Sequence, residues 1–213
     1  MEILNEISEK LQAGSAPKVR QLVSYALNQG IDVKEVLNAL IDGMGVVGVK
    51  FKNNEIYVPE VLIAARAMNA GLEILKPILT ETGVKPIGKV IIGTVAGDLH
   101  DIGKNLVKMM MIGAGLEVID LGVDVTPQKF VSAVKEFNPD IVAMSALLTT
   151  TMSSMRKTIE SLEKEGLRSK LIVMIGGAPV TENYAKEISA DIYTPDAASA
   201  AEKAKEAILK RVA

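Results

Sequence analysis

The stretch KVIIGTVAGDLHDIGKNLVKMMMIGAGLEVIDLG, residues 89–122, decides the fold. It opens on a nearly continuous apolar run at 89–95 and passes through a turn rich in glycine and aspartate. Helical spacing follows over about 103–114, and a second apolar run closes the stretch at 117–121. Strand, helix and strand at such short range read as a βα unit repeated in parallel. The same alternation continues outward, with apolar runs at 140–147, 171–175 and 191–193 and helical stretches at 127–137, 152–165, 181–189 and 197–211. Nearly continuous Val and Ile runs mark strands buried on both faces. The expected architecture is therefore α/β: a flavodoxin-like (Rossmann-like) five-stranded parallel sheet domain with helices on both sides.

Upstream the period changes. Leu4, Ile7 and Leu11 form one helical stripe; Val19, Leu22, Val23 and Ala26 a second; Val33, Val36, Leu37, Leu40 and Ile41 a third. Val61, Leu62, Ala65, Met68, Leu72 and Leu75 form a fourth, so the N-terminal part reads as a bundle of four or five helices. TETGVKPIGK, residues 80–89, breaks both periods and is the expected linker. The expected domains are a helical bundle at 1–85 and the sheet domain at 86–213.

Composition excludes several function classes. The 213 residues carry 24 Lys and Arg against 26 Asp and Glu, a net charge of −2, without the basic excess that phosphate neutralisation on a nucleic acid requires. With no Cys there are no disulfides, thiolate metal sites, iron-sulfur ligands or thiol nucleophiles. The opening MEILNEISEK is neither a signal nor a transit peptide, and no apolar run approaches the ~20 residues of a membrane span. A cytoplasmic location without membrane partners is expected. Of the ten Met, Met109, Met110 and Met111 fall in a helix, where methionine packs far more often than it ligates.

In open parallel sheets, ligands bind beyond the carboxyl ends of the strands. The single histidine, His100, lies just there, in GTVAGDLHDIGKN at 93–105. A surface or capping histidine is the plain alternative. Asp98, two residues earlier, could accept the imidazole Nδ1–H and leave Nε2 as a neutral ligand, or it could simply cap. Asp101 reads as a cap for the helix beginning near Gly103. Gly93, Gly97 and Gly103 allow either a close approach by a bulky group or tight turns. Neither GxGxxG after the strand nor GxxxxGK[ST] is present, no nucleophile set surrounds the histidine, and a zinc site needs more His or Cys than exist. One imidazole can still hold a metal whose other ligands arrive in a macrocycle.

GDLHDIGKN at 97–105, SALLTTT at 145–151 and IGGAPV at 175–180 together closely resemble the cobalamin-binding domain of methyltransferase corrinoid proteins. GMGVVGVKFKNNEIYVPEVLIAARAM, residues 43–68, is similar to the helical cap that precedes that domain in cobalamin-dependent methionine synthase. The likeness covers about 3–211 and is strongest to the small corrinoid proteins of methylamine, methanol and betaine systems.

The resemblance implies a cobalamin or related cobamide bound base-off/His-on, with His100 as the lower cobalt ligand. Asp98 and Thr151 would complete a proton relay with it. Gly97, Asp101, Ile102, Gly103 and Leu147 would line the cofactor, and Ser145 and Thr149 would contact its buried nucleotide tail. Gly176 and Gly177 would let that tail pass, with Thr194 near its far end among residues 193–197. Ala96, Ile192 and Thr194 depart from the commoner residues at their positions. In the cap, Phe51 and Val58 would cover the upper face, and residues 80–89 would be the hinge.

Function follows by the same likeness: Co(I) accepts a methyl group from a substrate on a partner methyltransferase, and methyl-Co(III) delivers it through a second methyltransferase to a thiol or tetrahydrofolate. A reductive activation protein would be a third partner. The chain alone would be a carrier, not a catalyst. A cobalamin-responsive sensor is the alternative, and it calls for an output module that the first 80 residues do not suggest.

Overall fold

The computed structural model describes residues 2–212, which divide into two compact units. The residues up to Pro86 with Gly113–Gly115 form a helical unit; Ile87–Ile112 and the residues from Leu116 onward form a sheet unit.

The helical unit holds four long helices among the described residues: α1 (Glu2–Gln12), α2 (Ala16–Asn28), α3 (Val33–Lys52) and α4 (Val58–Glu81). Starts are set locally. The Asp32 carboxylate accepts the Lys34 N–H at 2.7 Å ahead of α3, and Glu60 Oε2 accepts the Tyr57 N–H at 3.1 Å ahead of α4. Helix α1 packs on α3 and α2 on α4 around Ile7, Leu11, Val19, Val23, Leu40, Met68 and Leu75, all buried.

Two expectations change here. Leu62 of the fourth stripe is exposed, while Val61, Ala65, Met68 and Leu75 are buried as expected and Ala64, Ala67, Ala70 and Gly71 widen the buried face. A Cβ at Gly71 would lie 2.8 Å from Leu40 Cδ1, so close approach at the small residues adds to the larger side chains in fitting α4 to its neighbours. Helix α4 also continues past the expected boundary, with Pro77 inside it, and ends where Thr82 donates both its N–H and its hydroxyl to the Ile78 carbonyl. The irregular segment shrinks to 82–88.

In the sheet unit β1 (Lys89–Thr94), α5 (Ile102–Gly113), β2 (Glu117–Asp120), α6 (Pro127–Phe137), β3 (Ile141–Ser145), α7 (Ser153–Lys164), β4 (Ile172–Gly176), α8 (Glu182–Glu187), β5 (Ile192–Tyr193) and α9 (Ala197–Val212) follow in turn, with a short 3-10 turn at Arg168–Lys170. All strand pairs are parallel and the order is β2-β1-β3-β4-β5, the doubly wound arrangement expected. Alternation along the strands divides the core. Ile91, Val142, Met144, Val173 and Ile175 pack with Phe130, Val134, Met155, Ile159 and Leu162 of α6 and α7. Val90, Ile92, Ala143 and Met174 point to the other face and are equally buried, as are Met110, Met111 and Ile208. The Met run is packing.

The apolar run 140–147 does not stay a strand to its end: β3 stops at Ser145, and Leu147 and Leu148 are exposed on the following loop. Their N–H groups turn instead toward a buried carboxylate. Because α5 leads from β1 to one side and α7 leads from β3 to the other, the loops after these adjacent strands part and leave a crevice at the topological switch point.

Candidate functional site

Asp98 sits in that crevice with no accessible surface. Val95 and Gly97 turn the chain after β1: the Asp98 N–H reaches the Val95 carbonyl at 3.1 Å, and Gly97 adopts φ 84. The carboxylate then gathers donors from two loops. Oδ2 accepts the Leu147 N–H at 2.8 Å, the Leu148 N–H at 3.2 Å and the Thr151 hydroxyl at 2.8 Å. Oδ1 accepts the His100 N–H at 3.1 Å and faces His100 Nδ1 at 2.7 Å. Burial alone would push this carboxyl up. The Leu147 N–H, the His100 ring and N–H and the Thr151 hydroxyl outweigh it and hold the group well below the usual carboxylate range.

The chemical result is a histidine with one nitrogen assigned. A carboxylate only accepts, so the proton of a neutral imidazole belongs on Nδ1 and the lone pair on Nε2. The ring is about half exposed, 52% of its side-chain surface, so Nε2 is within reach of a bound group. Among the described residues no three His, Asp or Glu side chains are gathered for a metal ion, and a metal here would need its remaining ligands from elsewhere.

Other expected residues fall around this pair. Ile102 opens α5 and is 77% exposed, as are Leu99, Leu147 and Leu148 in part, so a rim of large apolar side chains borders the histidine. Asp101 precedes α5, but its carboxylate accepts the Asn105 side-chain amide at 3.0 Å rather than capping a backbone N–H. Gly103 has open space where a Cβ would be, while Gly97 would place one 3.5 Å from Thr151 Cγ2. Ser145 is paired in register with Thr94 on β1 and Gly176 on β4, and Thr149 is exposed.

Gly177 has φ 133, and a Cβ there would lie 1.9 Å from the Ala146 carbonyl oxygen. That position is filled by the protein's own backbone. A Cβ on Gly176 would lie 3.3 Å from the Thr194 carbonyl oxygen, and Thr194 is buried. Phe51, at the end of α3, and Val58, at the start of α4, are half-buried in the helical unit.

Four further residues support the site. Thr94, fully buried, donates its hydroxyl to the His100 carbonyl at 2.9 Å, and Ser154 donates to the Ala96 carbonyl at 3.1 Å. Asp120 takes both oxygens to the buried Lys104 ammonium at 2.7 Å and its Oδ1 accepts the Gly122 N–H at 3.0 Å. Burial, outweighed by Lys104, Gly122 and Lys108, leaves Asp120 below its ordinary value. Lys104 stands inside the quoted GDLHDIGKN, where its charge could have suggested a buried partner.

Comparisons with known proteins give the family. Residues 88–205 match the B12 binding domain family, and residues 3–76 match a second family described as a B12 binding domain. The chain is 42% identical to dimethylamine corrinoid protein 1 of Methanosarcina mazei over 212 residues, covering 98% of this chain and 97% of that one. A cobalamin-binding protein from Desulfitobacterium hafniense superposes with a TM-score of 0.79 at 35% identity, over 95% of this chain and 97% of the other. The methanol:cobalamin methyltransferase complex of Methanosarcina barkeri gives 0.87 at 30% identity, over 98% of this chain and 80% of the matched one. Sharing both matched domains and nearly its whole length with such relatives, the chain belongs to the B12-binding corrinoid protein family.

Proposed function

We propose that this protein is a corrinoid methyl carrier in which His100 is the lower ligand of cobalt and the cofactor's own base is displaced. One observation carries the reading: the ring's Nδ1 is held 2.7 Å from a buried carboxylate, which leaves Nε2 as the donor nitrogen. The residues present fit the group. A single neutral imidazole suits a metal with four equatorial ligands of its own, and the apolar rim of Leu99, Ile102, Leu147 and Leu148 suits the edge of a large ring. The open space at Gly103 fits a close approach.

When bound, the corrinoid supplies the cobalt on which a methyl group travels between partner enzymes. The chain's own residues orient the ligand and hold a proton. Asp98, kept ionised, would fix the Nδ1–H tautomer of an imidazole that holds the cobalt and would stabilise the imidazolium of one protonated at Nε2. Thr151 has one hydroxyl proton and two acceptors at 2.8 Å, Asp98 Oδ2 and the Leu148 carbonyl, so it can strengthen or relax its hold on the carboxylate. Gly97 and Asp101 would border the ring, with Ser145, Thr149, Gly176, Gly177 and Thr194 along the nucleotide tail. Phe51 and Val58 would serve a cap that opens about residues 82–88.

The partners follow from the relatives. Dimethylamine and trimethylamine corrinoid proteins and the corrinoid chain of a methanol methyltransferase complex point to a substrate-specific methyltransferase, with methylated amines as the favoured donors. A second methyltransferase for the acceptor and a reductive activator complete the set. The cytoplasm is the proposed location, and no helix among the described residues is long and apolar enough to cross a membrane.

The test is to load ¹⁵N-labelled protein with unlabelled hydroxocobalamin, reduce it to Co(II) and record the EPR spectrum. Axial nitrogen coupling from the protein should appear as doublets, and His100→Ala should lose it completely. Triplets from the cofactor's ¹⁴N base, or spectra unchanged in the variant, would overturn the assignment.

A further inference from the structure

We infer that Asp124, on the loop after β2, is a positioning residue for His100: it clamps the Gly97–Asp98 dipeptide and so sets the direction from which the Asp98 carboxylate holds the imidazole. Two bonds make the clamp. The Gly97 N–H donates to Asp124 Oδ1 at 2.7 Å, and the Asp124 N–H donates to the Asp98 carbonyl at 3.0 Å. They embrace both residues of the turn, one from each end. Asp124 makes both contacts from a left-handed backbone, φ 51. Aspartate, asparagine and glycine tolerate that conformation; most residues do not.

The loop that presents Asp124 is fixed on both sides. Gly122 accepts the Thr94 N–H at 3.0 Å through its carbonyl, and the Val125 N–H donates to the Thr94 carbonyl at 2.9 Å, which extends the sheet by one bridge between Val95 and Val125. Asp120 and the buried Lys104 hold the preceding Gly122. Asp124 is exposed, yet the backbone on either side of it is anchored to β1. Gly97, by contrast, is a glycine at positive φ with wide freedom when released. Without the Asp124 acceptor the Gly97 N–H is released, the turn leading into Asp98 loses its anchor on that side, and the Oδ1 edge of the carboxylate can tilt away from the imidazole while Oδ2 stays with its own donors.

The consequence at cobalt rests on His100 being the lower ligand, but the clamp can be tested without cofactor because the chain has one histidine. The full chain, its Asp124→Gly variant and its Asp124→Asn variant would be compared. Glycine keeps the positive φ and the N–H and removes only the acceptor; asparagine restores an acceptor oxygen. In the cofactor-free protein at one fixed alkaline pH, imidazole ¹⁵N shifts report the fraction of Nδ1–H tautomer; absorbance titration with hydroxocobalamin reports affinity.

The parent and Asp124→Asn should be almost wholly Nδ1–H, with affinities within about twofold of each other. Asp124→Gly should show both tautomers in comparable amounts and bind cobalamin about tenfold more weakly, the loss expected for one charge-assisted hydrogen bond. Its far-UV circular dichroism should stay that of the parent. If it cannot be purified, Asp124→Ser, too short to reach the Gly97 N–H, takes its place. A parental tautomer ratio in the acceptor-deleted variant, or a loss in Asp124→Asn as large as in Asp124→Gly, overturns the inference. Absence of protein nitrogen coupling in the loaded parent would instead strike the ligand assignment, and the tautomer ratio alone would then decide the clamp.

Discussion

Gly177→Ala should lose about 4–5 kcal/mol of stability, lowering the thermal midpoint by roughly 10–15 °C, and should bind cobalamin poorly even where it stays folded. The Cβ would arrive 1.9 Å from the Ala146 carbonyl oxygen and 2.9 Å from its carbon, and both are backbone atoms that no rotamer change can move. The residue's φ of 133 adds strain of its own. Relief requires the loops after β3 and β4 to separate, yet the Ala146 N–H is bonded to the Gly176 carbonyl at 3.3 Å and the next two N–H groups hold Asp98. A packing fault at β4 thus reaches the histidine through two short links. Circular dichroism melting and cobalamin titration check both halves. Gly103→Ala is the contrast: a Cβ there meets nothing within 4 Å, and alanine favours the first turn of α5, so its melting point should hold or rise slightly. A midpoint for Gly177→Ala within 2 °C of the parent would contradict the steric account.

Asp98→Asn should cost about 3 kcal/mol and remove the axial histidine signal, although the two side chains have nearly the same shape. The carboxylate serves five donors with two oxygens. Asparagine offers one oxygen. If that oxygen stays with Leu147, Leu148 and Thr151, the amide N–H₂ faces His100, whose Nδ1 has to become an acceptor and pass its proton to Nε2. The nitrogen proposed as the cobalt ligand is then protonated, while the His100 N–H is left opposite another donor.

Acid behaviour gives a second readout. The folded protein holds the Asp98 carboxyl below its unfolded value, so this group's contribution to stability is complete above about pH 4 and fades as pH falls below that. Urea midpoints of parent and variant should therefore differ most at neutral pH and converge in strong acid. A constant gap down to pH 2 would contradict the assignment.

Much of this architecture is visible in the chain itself, for a physical reason. A parallel strand buried on both faces cannot tolerate polar interruptions, so Val90–Ile92 and Ile172–Ile175 read as strands without further help. The helices α6 and α7 are amphipathic enough to be placed almost to the residue. Signals fail where backbone rather than side chain does the work. Leu147 looks like the end of a strand because it is apolar, but what it and Leu148 contribute is two N–H groups. Leu62 looks like core because helical spacing treats all apolar residues alike, whereas α4 is seated by Val61, Met68 and Leu75 together with its alanines and Gly71.

The histidine and its aspartate were legible because they lie two residues apart. Asp124 was not, since it meets Gly97 and Asp98 only through the register of its loop against β1, and Thr94 was not, since its hydroxyl bonds a backbone carbonyl that no residue type marks. The glycine pair was legible as a requirement, but the atom that imposes it at Gly177, the Ala146 oxygen, was not.

The bond from Thr151 to Asp98 spans 53 positions along the chain, and those from Leu147 and Leu148 span nearly as many. A nascent or denatured polypeptide therefore offers metal only an ordinary imidazole, free to exchange its proton between both nitrogens. On the proposed ligation, coordination competence is acquired together with closure of the sheet, so the pigment would distinguish mature copies from immature ones and reinforce the former by mass action.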